Sequence, residues 1–347
     1  MSLVLAIDEW PSNDQEMWER LQKQGGPLDD RGALAHLRAT TLETLVQRYG
    51  RWLCWLNDKE PKSLDLSPHV RVTRERLLAW QEDLAHTKPM TRLTFVDSVL
   101  RVVRAAAPDL DWSQQLRIKA SLKVAAGRGD PGRKSGRILS SKVLFEAGLN
   151  FANAVPCCST PKISDMEHLR DGAMIAMLAL MPMRRRAFAD LCLGASFHLA
   201  PDKLTVSLSE EMTKTGQPWE ADVPKQVEPL LRRYLDEARP LFVNNGDQDQ
   251  DKLWVTSKGR PFDHNYLGSR IGEKTLMLTG VRVPPHLFRD AAATTLARSS
   301  PEHAKLIRPI LAHSSIGTAE RHYIHAGTIE AGRGYAALIK NKKETRR

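Results

Sequence analysis

The stretch IRPILAHSSIGTAERHYIH, Ile307 to His325, places a tyrosine, Tyr323, ten residues after a histidine, His313. Between them Ser314 and Ser315 can cap a short helix that ends near the tyrosine. A phenol is a poor nucleophile at neutral pH, because its ordinary pKa is about 10. It becomes useful only where cations stabilise charge on the electrophile. The rest of the chain has to supply those cations.

Three further features qualify. In MPMRRRAFADLCLG, residues 181–194, Arg184 stands at the start of a helix whose Phe188 and Leu191 would be buried. The macrodipole mildly opposes an arginine there, and a bound anion would offset this. Lys214 lies in a Thr213-Lys-Thr-Gly216 turn between two strands, where a lysine can reach into a site as a proton donor. In His286-Leu-Phe-Arg289 the spacing of three puts histidine and arginine on one helical face, so both can touch one phosphate. Each feature is weak alone. Arginine runs are usually solvated, turn lysines are common, and chance alone produces about one HxxR in so arginine-rich a chain. A lone histidine or tyrosine usually just packs.

The elements that must position these residues read as mostly helical. Residues 1–35 are acidic and form an arm or lead-in, with one helix over Glu16–Gln24. Thr40 and Glu43 form a capping box, after which Leu42, Leu45, Val46, Tyr49, Leu53 and Leu56 share a helical face. Helices follow at Pro68–His86, Thr91–Ala107 and Ser113–Ala126, making residues 36–126 an all-helical domain. Its outer faces carry Arg71, Arg74, Arg76, Lys88, Arg92, Arg101 and Arg104. Residues 127–138, which contain GRGDPGRKSG, read as a basic linker. A second domain spans 139–330, and 331–347 is a basic tail. In the second domain helices are expected at Ser140–Ala154 and Ser164–Met181, the latter with a Ser164/Glu167 capping box. Three short strands are expected at Ser196–Leu199, Leu204–Leu208 and Trp219–Val223. Only Lys252–Thr256 breaks the helical remainder. The fold class is therefore mainly α with one small antiparallel sheet.

The formal net charge is +10 and the pI about 9.5, which points to a polyanionic partner. From Arg117 to Lys142 eight basic residues face one acid, Asp130. Arg117, Lys119, Lys123, Arg128, Arg133, Lys134 and Arg137 are thus candidate contacts to a duplex backbone. Cys54, Cys157, Cys158 and Cys192 have no metal-ligand spacing and read as reduced thiols, which implies the cytoplasm. No apolar run approaches the roughly 20 residues of a membrane span, and the acidic N-terminus does not read as a signal peptide. There is no phosphate-binding GxxxxGK[ST] and no carboxylate cluster suited to two metals.

In their order along the chain, arginine, lysine, HxxR, histidine and tyrosine resemble the tyrosine recombinase, or phage integrase, family. HLFRDAAATTLA (286–297) and ILAHSSIGTAERHYIHA (310–326) are similar to its HxxR and "LGH…Y" boxes. PMRRRAFADLCLG is similar to its first arginine box, and Thr213-Lys-Thr-Gly to its lysine turn. Ala187 stands where the family often has an acid, Ala312 where it has glycine, and the His313–Tyr323 spacing is one residue longer. The resemblance implies a helical core-binding domain and a mixed α/β catalytic domain forming a clamp around duplex DNA. It implies four protomers acting on two sites. It implies Tyr323 as nucleophile, Arg184 and Arg289 on the non-bridging oxygens, Lys214 as proton donor to the 5′ oxygen, and His286 and His313 assisting. No metal and no cofactor is needed, because the covalent step conserves the phosphodiester energy. Two alternatives share the pattern: a type IB-like topoisomerase, and a non-catalytic DNA-binding protein on the same fold.

Overall fold

The computed structural model describes residues 3–26, 30–127, 136–156, 161–213, 216–246 and 250–299. The chain divides into two compact units, Met1–Pro131 and Gly132–Arg347, with the division inside the expected basic linker.

The first unit contains five α-helices among its described residues: α1 (Ser12–Gln22), α2 (Ala39–Lys59), α3 (Arg74–Asp83), α4 (Pro89–Ala106) and α5 (Ser113–Ala126). Thr73 caps α3 by accepting from the Arg76 amide at 3.2 Å, and Pro89 opens α4, where a missing N–H costs nothing. The apolar face expected on α2 is buried: Leu45, Tyr49, Leu53 and Leu56 sit in one core with Trp18, Trp52, Trp80, Val96, Val99 and Val103.

Four expectations for this unit are corrected. Residues 1–35 are not a mere lead-in, because Trp10, Met17, Trp18 and Leu21 pack into that same core. Arg71 is not on an outer face but fully buried. Its guanidinium meets Asp14 of α1 at 2.5 Å and donates to the carbonyls of Leu66 at 2.9 Å and Leu64 at 2.8 Å. Tyr49 donates to the other Asp14 oxygen at 2.7 Å. Burial and the Asp14 carboxylate push the Tyr49 phenol well up, so it stays a donor. These bonds occupy the segment before Thr73, and α3 begins at Arg74 rather than Pro68. Finally, Thr40 does not cap α2. The helix starts at Ala39 after Arg38, and Thr40 lies inside the first turn, where its carbonyl accepts from the Thr44 hydroxyl.

In the second unit α6 (Ser141–Asn153), capped by Ser140, lies against α7 (Ile163–Leu180), which is buried from Leu169 through Ala179. The two backbones approach closely at Gly148 and Gly172. A Cβ on Gly148 would stand 2.7 Å from the Ala176 amide nitrogen, and one on Gly172 would stand 2.6 Å from the Gly148 carbonyl oxygen. The expected Ser164/Glu167 box is absent, since α7 starts after Lys162. Glu167 and Asp171 instead hold α11 (His264–Thr279): Arg270 reaches Asp171 at 2.8 Å and Glu167 at 3.3 Å. After α8 (Arg185–Ala189) come β1 (Phe197–Leu199), β2 (Leu204–Leu208) and β3 (Trp219–Asp222), an antiparallel sheet in the order β1-β2-β3. The chain continues through α9 (Glu228–Arg233), a π turn at Tyr234–Ala238 and α10 (Arg239–Asn244), then α11 and α12 (Pro285–Ser299). The fold is mostly helical with one small sheet. Among the described residues no helix is long and apolar enough to cross a membrane.

Arg71→Met should destabilise the first unit by about 3–5 kcal/mol, because it leaves the Asp14 charge buried without its partner. Six of the eight tryptophans, Trp10, Trp18, Trp52, Trp55, Trp80 and Trp112, lie in that unit. Urea unfolding of the full chain followed by tryptophan fluorescence therefore reads the change, and an unshifted midpoint would contradict this role for the ion pair.

Candidate active site

Arg184 is the residue before α8, with extended backbone (φ −68°, ψ 141°). The helix it opens is anchored from below. Phe188 and Leu191 are fully buried, as their spacing predicts, and Phe188 packs on Trp254 with ring centroids 5.1 Å apart. Ala187 is buried too, so the position where an acid is often found in the resembled family is part of the packing here. The Arg184 side chain stays half-buried, and burial pushes its guanidinium pKa down.

Arg289 comes from α12. Its neighbours Leu287 and Phe288 are buried and fix the helix on the core. The Arg289 Nη1 donates to the Pro182 carbonyl at 2.7 Å, two residues before Arg184. That carbonyl sits in a tight turn closed by the Met183 amide donating to Met181 at 2.7 Å. One bond therefore ties the HxxR helix to the first arginine segment across 107 residues of chain. His286, one turn ahead of Arg289, is exposed on the same side of α12.

Burial and, next, the Arg184 charge push the Arg289 guanidinium down to about 10; the buried Asp290 carboxylate acts in the opposite direction. Arg289 thus remains charged at neutral pH. Because its folded-state pKa is depressed, carrying this charge costs stability at every pH below about 10. Two half-buried guanidiniums that repel each other form a receptor for an anion, and their planar forks match a phosphate.

The turn expected to carry Lys214 has its flanks in place. Leu208 pairs with Trp219, the Thr213 hydroxyl lies 2.8 Å from the Gln217 carbonyl oxygen, and Gly216 takes φ +65°, which suits only glycine. Lys214, His313 and Tyr323 themselves lie outside the described residues. The structure brings Arg184 near Arg289, with His286 one turn before Arg289 on α12. Among the basic candidates, Arg117 and Lys123 are exposed on α5, while Lys119 is paired with Asp97 at 2.5 Å. Arg137 is exposed and donates to the Arg282 carbonyl at 3.5 Å. Arg128, Arg133 and Lys134 lie outside the described residues. Sequence reasoning missed Asp290 and the Pro182 carbonyl. Asp290 follows Arg289 directly and had a local signal; a main-chain acceptor has none.

Arg184→Gln removes a like charge facing Arg289. The same change should weaken the extra thermal stabilisation that sulfate gives over chloride at equal ionic strength. A loss of stability with sulfate response intact would mean that Arg184 is structural instead.

No model of a known protein family matches this sequence, and no curated protein sequence does. Solved structures do match. XerH site-specific recombinase in a post-cleavage complex with palindromic difH substrate is 17% identical, with 86% of this chain and 79% of that chain covered and a TM-score of 0.57. The Tn1549 transposon integrase in complex with circular intermediate DNA is 14% identical, with 85% and 94% covered and a TM-score of 0.52. A lambda integrase dimer bound to a COC′ core site is 13% identical, with 84% and 90% covered and a TM-score of 0.51. At these identities the likeness is one of fold, and it extends over the helical first unit as well as the second. The chain has the tyrosine recombinase fold.

Proposed function

We propose that this protein is a site-specific DNA recombinase that cuts and rejoins duplex DNA through a 3′-phosphotyrosyl intermediate. The observation that carries the reading is the convergence of Arg184 and Arg289, two guanidiniums whose mutual repulsion an anion would relieve, with His286 on the same helix. The recombinase fold and the net charge of +10 support duplex DNA as the source of that anion.

In this reading the Tyr323 hydroxyl attacks the scissile phosphorus. The P–O bond to the 5′ oxygen breaks as the bond to the tyrosyl oxygen forms. Arg184 and Arg289 hold the non-bridging oxygens, where charge is greatest in the pentavalent transition state. Lys214 gives its proton to the departing 5′ oxygen, and His286 and His313 assist proton transfer and phosphate binding. The ester linkage to tyrosine retains the energy of the broken bond, and reversal with a new 5′ hydroxyl reseals a strand. On DNA the working unit is a homotetramer holding two sites.

The test is a library of nicked suicide duplexes with randomised cores, which trap the covalent intermediate when a short 5′ strand diffuses away. Full-length protein should form an adduct mapping to Tyr323, and Tyr323→Phe should form none. Arg184→Gln and Arg289→Gln should each lower the adduct rate by about 10²–10³-fold, as removal of one oxyanion donor does elsewhere. An adduct that persists in Tyr323→Phe moves the nucleophile. Relaxation of supercoiled plasmid without selection of any core sequence would replace recombinase by topoisomerase. Binding without an adduct would leave only a DNA-binding protein.

A further inference from the structure

Helix α11 carries two glycines one turn apart, Gly268 and Gly272, both buried in mid-helix. What lies over them is not backbone but two arginine side chains. A Cβ on Gly268 would stand 2.8 Å from Arg185 Cδ, and its three nearest atoms all belong to Arg185. A Cβ on Gly272 would stand 3.1 Å from Arg282 Nε, and there too all three belong to one residue, Arg282. The bare face of α11 is therefore a ledge on which two arginine side chains lie, Arg185 by Cγ, Cδ and Nη1 and Arg282 by Cγ, Nε and Cζ. Both arginines are exposed, so the arms are seated while the residues remain accessible.

The two arms come from the segments that carry the Arg184–Arg289 pair. Arg185 follows Arg184 directly, and Arg282 lies four residues before His286. The Arg282 segment is held firmly. The Thr275 hydroxyl accepts from the Val283 amide at 2.9 Å and lies 3.2 Å from the Val283 carbonyl oxygen, and Thr279 bonds to Val281. Arg137, also exposed, donates to the Arg282 carbonyl and adds a third cation beside it. The opposing charge near Arg185 is Asp263, which is already occupied in capping α11 through the amides of Asn265 at 2.8 Å and Tyr266 at 3.1 Å.

We propose that Arg185 and Arg282, seated on the Gly268/Gly272 ledge, form a second phosphate-binding site that grips the DNA backbone beside the phosphate held by Arg184 and Arg289. The inference rests on the reading of the substrate as duplex DNA. An arginine whose arm is already laid down loses less conformational freedom when its guanidinium meets a phosphate, so seating strengthens the grip. The ledge also explains two glycines where an α-helix would otherwise favour alanine.

Two variants of the full-length protein test this, read by fluorescence anisotropy on a labelled duplex over a sodium chloride series. Arg185→Gln/Arg282→Gln should lower the slope of log K against log salt by about 0.9 for each arginine. Gly268→Ala/Gly272→Ala should leave the melting temperature unchanged or higher, because alanine favours helix and the atoms in the way are flexible side chain. The same variant should nevertheless bind the duplex more weakly, as the displaced arms lose their seat. A slope equal to the wild type in the glutamine variant, or wild-type affinity in the alanine variant, overturns the inference. A lowered melting temperature in the alanine variant overturns the ledge by making the glycines structural. If wild-type protein binds duplex and forms the tyrosyl adduct while these variants change nothing, only the second phosphate site falls. If wild-type protein binds no duplex, the recombinase reading falls with it.

Discussion

Arg289 and Arg184 are like charges brought close together in a half-buried setting, and much of the second unit exists to keep them there. One restraint is the hydrogen bond from Arg289 to the Pro182 carbonyl. A main-chain acceptor can hold a guanidinium without neutralising it, which a carboxylate at the same place would do. That contact positions the arginine without removing its positive charge. The cost of bringing both charges together is offset by burial on both sides: Phe188 against Trp254 beneath α8, and Leu287 and Phe288 beneath α12. Electrostatic preorganisation of this kind places the unfavourable work in folding, so that little reorganisation remains when the anion arrives.

The same economy of charge runs through the interior. Asp171, buried in α7, accepts from Arg170 and from Arg270 of α11, both at 2.8 Å. The Arg170 guanidinium also lies over the rings of Phe242 and Phe262 at 5.3 and 4.9 Å. A buried arginine with a carboxylate and aromatic faces around it is satisfied, and Arg270, through Asp171 and Glu167, locks α11 to α7 in one register. That register matters, because α11 is packed against α8 and carries the Gly268/Gly272 face. In the first unit Asp14 and Arg71 do the equivalent for α1 and the turn before α3. Arg71, Arg170 and Arg270 are thus structural ties in the interior.

Helix content, the three strands and the apolar face of α2 were legible in the sequence because they follow from periodicity and from proline and glycine punctuation. β2 falls at Leu204–Leu208 and α5 at Ser113–Ala126, as their patterns indicate. Capping failed at Thr40 and Ser164 because a side-chain cap is one of several ways to satisfy the first amides, and here Arg38 and Lys162 take the position without one. Arg71 was misplaced for a related reason. An arginine in a helical, arginine-rich region reads as solvated, and nothing local announces that Asp14, 57 residues earlier, will meet it.

By itself the sequence determined which residue types are present in the right order for phosphate chemistry: Arg184, Lys214, His286, Arg289, His313 and Tyr323. It also determined that Phe188 and Leu191 would be buried under the first of them, since side-chain spacing on a helix is a local property. Tertiary structure alone decided that Arg184 and Arg289 face one another, that the Pro182 carbonyl holds the second, and that Arg185 and Arg282 lie across bare glycines of α11. Apart from the nearby Arg282 and Gly272, these are encounters between segments roughly eighty to a hundred residues apart. Long-range meetings of this sort are set by how the core packs, and no local pattern encodes them.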